Sequence, residues 1–175
     1  MRAAALEVCA MVPELAHVRV PEVHFTVFYS RAARRTLTYA RCYPLSRKTR
    51  KRGRRTYALA PVLTTDGRPA RYVLAFAWTR YWQMTPRERL LTLVHELYHV
   101  SPAFDGEARA FESGGWHGRG RAWFDQVVAE ITDRSIPEGF TGAHPVLAAP
   151  IPDLARVRFE RLVLPRWAEV PPGQG

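Results

Sequence analysis

His95-Glu96-Leu97-Tyr98-His99 is the stretch of this chain whose residue types and spacing point most directly to chemistry. Side chains four residues apart on a helix stand one turn above each other, so His95 and His99 can aim imidazole nitrogens at one ion. Zn2+ accepts such nitrogens, and a catalytic site takes three protein ligands and leaves a fourth position to water. Glu96 directly follows the first ligand, where its carboxylate can act as general base toward that water and pass the proton on. Two histidines and a glutamate on an otherwise apolar helix cost free energy unless something compensates them, and a metal ion does so. The expected cofactor is Zn2+, with His95 and His99 as ligands and Glu96 as the catalytic residue.

A third ligand must come from downstream. His117 is the first choice: 17 residues separate it from His99, and the glycines of Gly114-Gly115-Trp116-His117-Gly118 let the chain fold back toward the helix. Asp105 is the alternative third ligand, six residues after His99, the offset of metzincin-type sites, although Pro102 stands where those sites turn on a glycine. Glu107 and Glu112 read as solvent-facing or supporting residues.

The elements that must position these groups are legible around them. Thr85, Pro86 and Glu88 form a capping signature, and Leu90, Leu91, Leu93, Val94, Leu97 and Tyr98 cover nearly every side of the helix that follows, so this helix is predicted central and buried, ending at Ser101-Pro102. Upstream, residues 2–16 read as an amphipathic helix cut short by Pro13. Residues 20–29, with Val20, Val23, Phe25, Val27 and Tyr29 near one face, 36–43, 56–60 and 71–78 read as strands, with a turn at 65–69. Downstream, Trp123, Phe124, Val127, Val128 and Ile131 form the stripe of a last helix over 120–132. Beyond Asp133 the chain is rich in proline, and Val157, Phe159, Leu162 and Leu164 could form an edge strand there. Strands followed by helices give an α+β layer arrangement.

The chain has 175 residues and a net charge of +10, but the excess is local. Between Glu22 and Asp66 there is no acid and there are eleven basic residues, while the other 15 face all 16 acids. Within this segment, 31–55, the densest run is Arg47, Lys48, Arg50, Lys51, Arg52, Arg54 and Arg55, a candidate DNA- or RNA-binding loop acting through counterion release. The apolar runs are too short to span a bilayer, the N-terminus does not read as a secretory signal, and Cys9 and Cys42 lack zinc-finger spacing. We therefore expect a cytoplasmic chain, or a virion-associated one if phage-encoded, with no membrane partner.

The order helix, strands, His-Glu-x-x-His helix, connecting segment and His-before-helix resembles zincin-type metallopeptidases, in particular the SprT-like group, and is similar to small metallopeptidases encoded in phages and prophages. The residues that carry it are the run Thr85 to His99, Asp105-Gly106 and His117, and the resemblance covers about residues 5–132. Where the SprT-like pattern has an aromatic four residues after the third His, this chain has Arg121, and its aromatics follow at Trp123 and Phe124. The resemblance implies His95, His99 and His117 as zinc ligands, Glu96 as base, and a peptide or protein substrate bound along the sheet edge beside the active helix. Tyr72–Trp78 is the candidate edge, with at least half of its apolar side chains expected in the core, and Tyr98, Arg109, Arg119 and Arg121 are candidates to stabilise charge in the transition state.

Together these readings give a minimal zincin-like α+β domain over 1–133: an N-terminal helix, a small mostly antiparallel sheet with a basic hairpin or loop at 47–55, the buried His-Glu-x-x-His helix and a C-terminal helix. A Pro-rich extension over 134–175 follows. The expected function is zinc-dependent peptide hydrolysis, with phage or nucleic-acid-associated proteins as candidate substrates. The alternative is a nucleic-acid- or virion-associated binding protein whose zinc site is structural.

Overall fold

A computed structural model describes residues 1–28, 38–46, 49–148 and 165–171. Helix α1 (Arg2–Met11) buries Ala4, Ala5, Val8 and Cys9. It stops because Val12, the residue before Pro13, is driven to extended backbone by the proline ring. Strand β1 (Val23–Phe28) starts later than the sequence predicts: Pro21 sets Val20–Glu22 into a single 3-10 turn, and Val23 and Thr26 are the buried positions, with Phe25 and Val27 half-buried. Tyr29, Arg31, Arg34, Arg35, Arg47 and Lys48 lie outside the described residues, as do Val157, Phe159, Leu162 and Leu164 of the expected edge strand.

Strand β2 (Ala40–Pro44) is followed by the hairpin β3 (Thr49–Arg52) and β4 (Arg55–Leu59), then by β5 (Tyr72–Ala77). β5 pairs in parallel with β1 and antiparallel with β2, giving the sheet order β1-β5-β2. All six of its residues are buried, which is why Tyr72-Val73-Leu74-Ala75-Phe76-Ala77 is apolar without alternation. This corrects the expected edge: Tyr72–Trp78 is not available to a substrate, since β5 has a strand on each side and Trp78 already opens the short helix α2 (Trp78–Trp82). The edge that packs against the central helix is β2.

That helix, α3 (Pro86–Tyr98), carries the predicted capping box. Thr85 Oγ1 accepts from Glu88 N at 3.3 Å, and Thr85 N donates to the Glu88 carboxylate at 2.7 Å. It buries Leu90, Leu93, Val94 and Leu97 together with Arg89 and Glu96. It closes at Tyr98, short of Ser101-Pro102, because Arg109 N donates to His99 O at 2.8 Å and Val100 bridges to Ala108. His99 is thus the cap residue. Helix α4 (Arg121–Ser135) starts after Gly120 and runs a turn past the expected end.

Two later pieces complete the described residues. Ile136, Phe140 and Leu147 belong to the same core as α1, α3 and β5, so residues 136–148, including helix α5 (Pro145–Ala148), cover one end of α3. Strand β6 (Trp167–Glu169) pairs antiparallel with β4, making a second three-stranded sheet, β3-β4-β6. Among the described residues no helix is long and apolar enough to cross a membrane. Both cysteines are free and buried, and burial pushes the Cys9 thiol up to about 12.

Arg89 ties α5 to α3. Its guanidinium donates to Leu147 O at 3.1 Å and Trp82 O at 2.9 Å, and lies 4.8 Å from the Trp82 ring centroid. Replacing Arg89 with Met keeps the aliphatic stem but strands both carbonyls. The expected loss is about 2–4 kcal/mol of unfolding free energy, measured by urea titration, since hydrogen bonds from a buried charge are worth about twice neutral ones.

Candidate metal centre

His95 and His99 stand on the last turn of α3 with ring centroids 4.9 Å apart. His117 arrives from the loop between Phe111 and Gly120, which turns through Gly114 N to Phe111 O at 2.9 Å and Gly120 N to His117 O at 3.0 Å. The loop takes positive φ at Gly114, Gly115, Gly118 and Gly120, and at Gly118 a side chain would also clash. Gly118 has φ +57°, and a Cβ there would stand 2.6 Å from the Trp123 ring, so a side chain would push the loop carrying His117 off α4. The three rings close on one another, His95 to His117 at 5.3 Å and His99 to His117 at 5.0 Å. Phe124, fully buried on α4, lies against all three, with His99 stacked on it at 4.7 Å.

One ring nitrogen from each histidine falls within 4.8 Å of the others, a group that could hold a metal ion. The separation of His95 Nε2 from His117 Nε2, 3.3 Å, is what two nitrogens at tetrahedral corners about 2.05 Å from a common ion would show, about 3.3–3.4 Å. The donor set is ready for a cation. Burial pushes His95 and His99 down to about 3, helped by the neighbouring imidazoles and by Arg121 for His95 and Arg109 for His99. His117 is also lowered, by burial and then Arg121. All three are therefore neutral at pH 7, with lone pairs to offer. His95 Nδ1 lies 3.0 Å from Asp125 Oδ1, which places the ring proton on Nδ1 and leaves Nε2 free to coordinate.

Glu96 projects from the same helix under β2. It is 6% exposed, and burial pushes its carboxyl up to about 8 against the opposing pull of the Cys42 backbone N–H, Arg121 and Arg41. A cleft of about 530 Å³ opens over these groups, walled by Thr38–Tyr43 on one side and by Leu91, Trp116 and Arg121 on the others.

The structure thus brings together His95, Glu96, His99 and His117. Asp105 stays outside the histidine group: it is exposed, and its carboxylate accepts from Glu107 N at 3.0 Å. Its neighbour Gly106 explains the Asp-Gly pair instead, since Gly106 N donates to the Tyr72 hydroxyl at 3.0 Å, and a Cβ at its φ of +85° would press on the Leu45–Ser46 backbone. Of the four candidate charge stabilisers, Arg121 alone lines the cleft. Arg109 is committed to Tyr98, donating to its carbonyl at 2.6 Å and lying 4.1 Å over its ring, and Arg119 is exposed on the loop. Arg50, Lys51, Arg52, Arg54 and Arg55 lie on the exposed hairpin. Sequence reading missed Asp125. Its only signal is that it adjoins Phe124 in the stripe of the helix packed on α3, one place a carboxylate can meet a ligating histidine.

Two outcomes follow from this geometry. Asp125→Asn should weaken metal binding about 10- to 100-fold in a chelator competition, with the fold unchanged. Because the two buried imidazoles are depressed to about 3, protons compete for them only well below neutrality. Metal affinity between pH 7.5 and 5.5 should therefore fall less steeply than for three ordinary imidazoles, which would each bind a proton across that range.

No curated protein and no solved structure matches the chain. A family model does: the one described as "Putative phage metallopeptidase" matches residues 1–129, a span holding β1, β2, β5, α3, all three histidines, Glu96 and Asp125. With about three quarters of its length matched and its three imidazoles gathered on α3 and the loop before α4, this chain belongs to that phage metallopeptidase family.

Proposed function

We propose that this protein is a zinc-dependent peptidase in which His95, His99 and His117 hold the metal and Glu96 is the general base. The observation that carries the reading is the buried Glu96 carboxylate beside three neutral imidazoles at the floor of an open cleft. When bound, Zn2+ supplies Lewis acidity, polarising a peptide carbonyl and acidifying a water. Glu96 takes a proton from the attacking water and delivers it to the departing amine, a role for which a bound cation would favour its ionised form against the burial that raises its carboxyl. A closed structural site uses four protein ligands, whereas three gather here among the described residues, which favours a catalytic centre over the structural alternative.

β2 supplies the place for a peptide chain. Ala77 N bonds to Tyr39 O and Leu45 N to Arg71 O, so the odd-numbered residues of β2 face β5 and the outward ladder positions fall at Ala40, Cys42 and Pro44. The Cys42 N–H is taken by Glu96, and Pro44 has no N–H, which limits strand addition to the stretch beside Ala40 and the Cys42 carbonyl. An extended substrate laid there passes over the histidines, with Arg121 placed to donate to the oxygen on which charge develops.

The decisive variant is Glu96→Gln. Both it and wild type should bind one equivalent of zinc by elemental analysis, and the variant should lose at least about 1,000-fold in cleavage of a quenched-fluorescence peptide library. Arg121→Gln should lower kcat about 100-fold with little change in KM. Zinc-loaded wild type that cleaves no peptide faster than Glu96→Gln would overturn the reading.

A further inference from the structure

Strands β3, β4 and β6 form a sheet whose chemistry the peptidase reading does not use. Their register sorts the side chains. Arg50 faces Tyr57, which faces Glu169; Arg52 faces Arg55; Leu59 faces Trp167. Residues in the same row, or two rows apart, share a face. One face therefore carries Arg50, Arg52, Arg55, Tyr57, Leu59 and Trp167, with Glu169 as its acid.

Three features set this face apart from an ordinary solvated charge run. Arg52 and Arg55 are directly opposed across the ladder, an arrangement that costs stability unless an anion lies over it. Glu169 offsets one charge, 3.3 Å from Arg55, and leaves the face net positive. Trp167 is 37% exposed, and the Arg50 guanidinium lies 4.2 Å over its ring, so a planar cation and a planar aromatic form a ready-made stack at the surface. The turn between the strands adds Arg54 at the exposed tip, where Gly53 takes φ +61°. Tyr57 adjoins the basic run in sequence, but Trp167 lies 112 residues after Arg55 and joins this face only when β6 pairs with β4.

We propose that the β3-β4-β6 face binds single-stranded nucleic acid, with Arg50, Arg52, Arg54 and Arg55 on the phosphates and Trp167 stacked on an unpaired base. Cations following the backbone together with an exposed aromatic fit single strands, whose bases are free to stack; in a duplex the aromatic has no base face to meet. The surface does not depend on the metal centre, so it stands or falls apart from the peptidase reading.

The test uses the full-length chain and fluorescence anisotropy of a labelled 20-nucleotide single strand and the matching duplex, over about 50–200 mM salt. The variants are Arg50/Arg52/Arg55→Gln, Trp167→Ala, Trp167→Phe, and Arg68/Arg87/Arg134→Gln, which removes equal charge elsewhere on the surface. Thermal melting checks that each is folded. The sheet triple variant should flatten the slope of log affinity against log salt by about 2, and the control triple variant should leave it nearly unchanged. Trp167→Ala should weaken single-strand binding about 5- to 100-fold without altering that slope, and Trp167→Phe should restore most of it. Equal losses in the two triple variants would overturn the proposal by showing diffuse attraction. So would an inert Trp167→Ala, duplex binding as tight as single-strand binding, or no binding by wild type at 100 mM salt.

Discussion

The cost of taking Glu96 and His99 out of water is the constraint around which the rest is arranged. Both are nearly fully buried on a helix whose other inward residues are Leu, Val and an arginine, and Arg41 and Arg121 offset only part of the cost of burying a carboxylate beside imidazoles. The protein answers with neutrality. Burial drives the imidazoles down and the carboxyl up, so near pH 7 the group carries little charge until a cation arrives. A site built this way is costly as pure structure and well matched to a divalent ion, which favours the ionised carboxylate and the unprotonated rings together.

Holding that arrangement takes support from every direction. The capping box fixes where α3 begins, and thus the phase at which His95, Glu96 and His99 emerge. Below, Phe124 fills the space against all three rings, so α4 sets their tilt while Asp125, the next residue, sets the His95 tautomer. Above, β2 lends the Cys42 N–H to Glu96, and β2 is held in place because β5 pairs with it along its whole length. On the far side, Tyr72 reaches from β5 to accept from Gly106 N and donate to Glu107 O at 2.9 Å, anchoring the chain that returns from His99 toward His117.

What could be read from the sequence was whatever is encoded locally. The capping residues, the apolar wrapping of α3, the Val12-Pro13 stop and the four-residue spacing of the histidines all act within one or two turns, and all appear where the sequence puts them. What could not be read depends on pairing between distant segments. A fully buried run such as Tyr72–Ala77 is apolar on both faces whether it is central or adjacent to a helix, so its composition gave no sign that β1 would pair in parallel on its outer side. Asp125 looks like any exposed carboxylate of a helix until α4 docks on α3. Ile136, Phe140 and Leu147 are scattered among prolines and glycines without a helical or strand period, yet they cover the end of α3 because Arg89 offers a buried cation for the Leu147 carbonyl.

Charge links the two ends of this design. Outside the acid-free segment the chain is nearly neutral, but Arg109 and Arg121 from that part and Arg41 from the segment itself stand close enough to the cleft to bias it: Arg109 and Arg121 help keep the imidazoles unprotonated, and Arg41 and Arg121 pull Glu96 back toward ionisation. The same sign of charge that would repel a cation at long range therefore prepares the ligands to receive one at short range. The balance holds because the ligands are buried while Arg41 and Arg121 line the cleft above them, where Asp125 accepts from Arg121 at 3.4 Å and tempers its field beside His95. Asp125 thus faces both ways, toward the ring it orients and toward the cation it moderates, so a single carboxylate on α4 couples the geometry of the centre to its electrostatics.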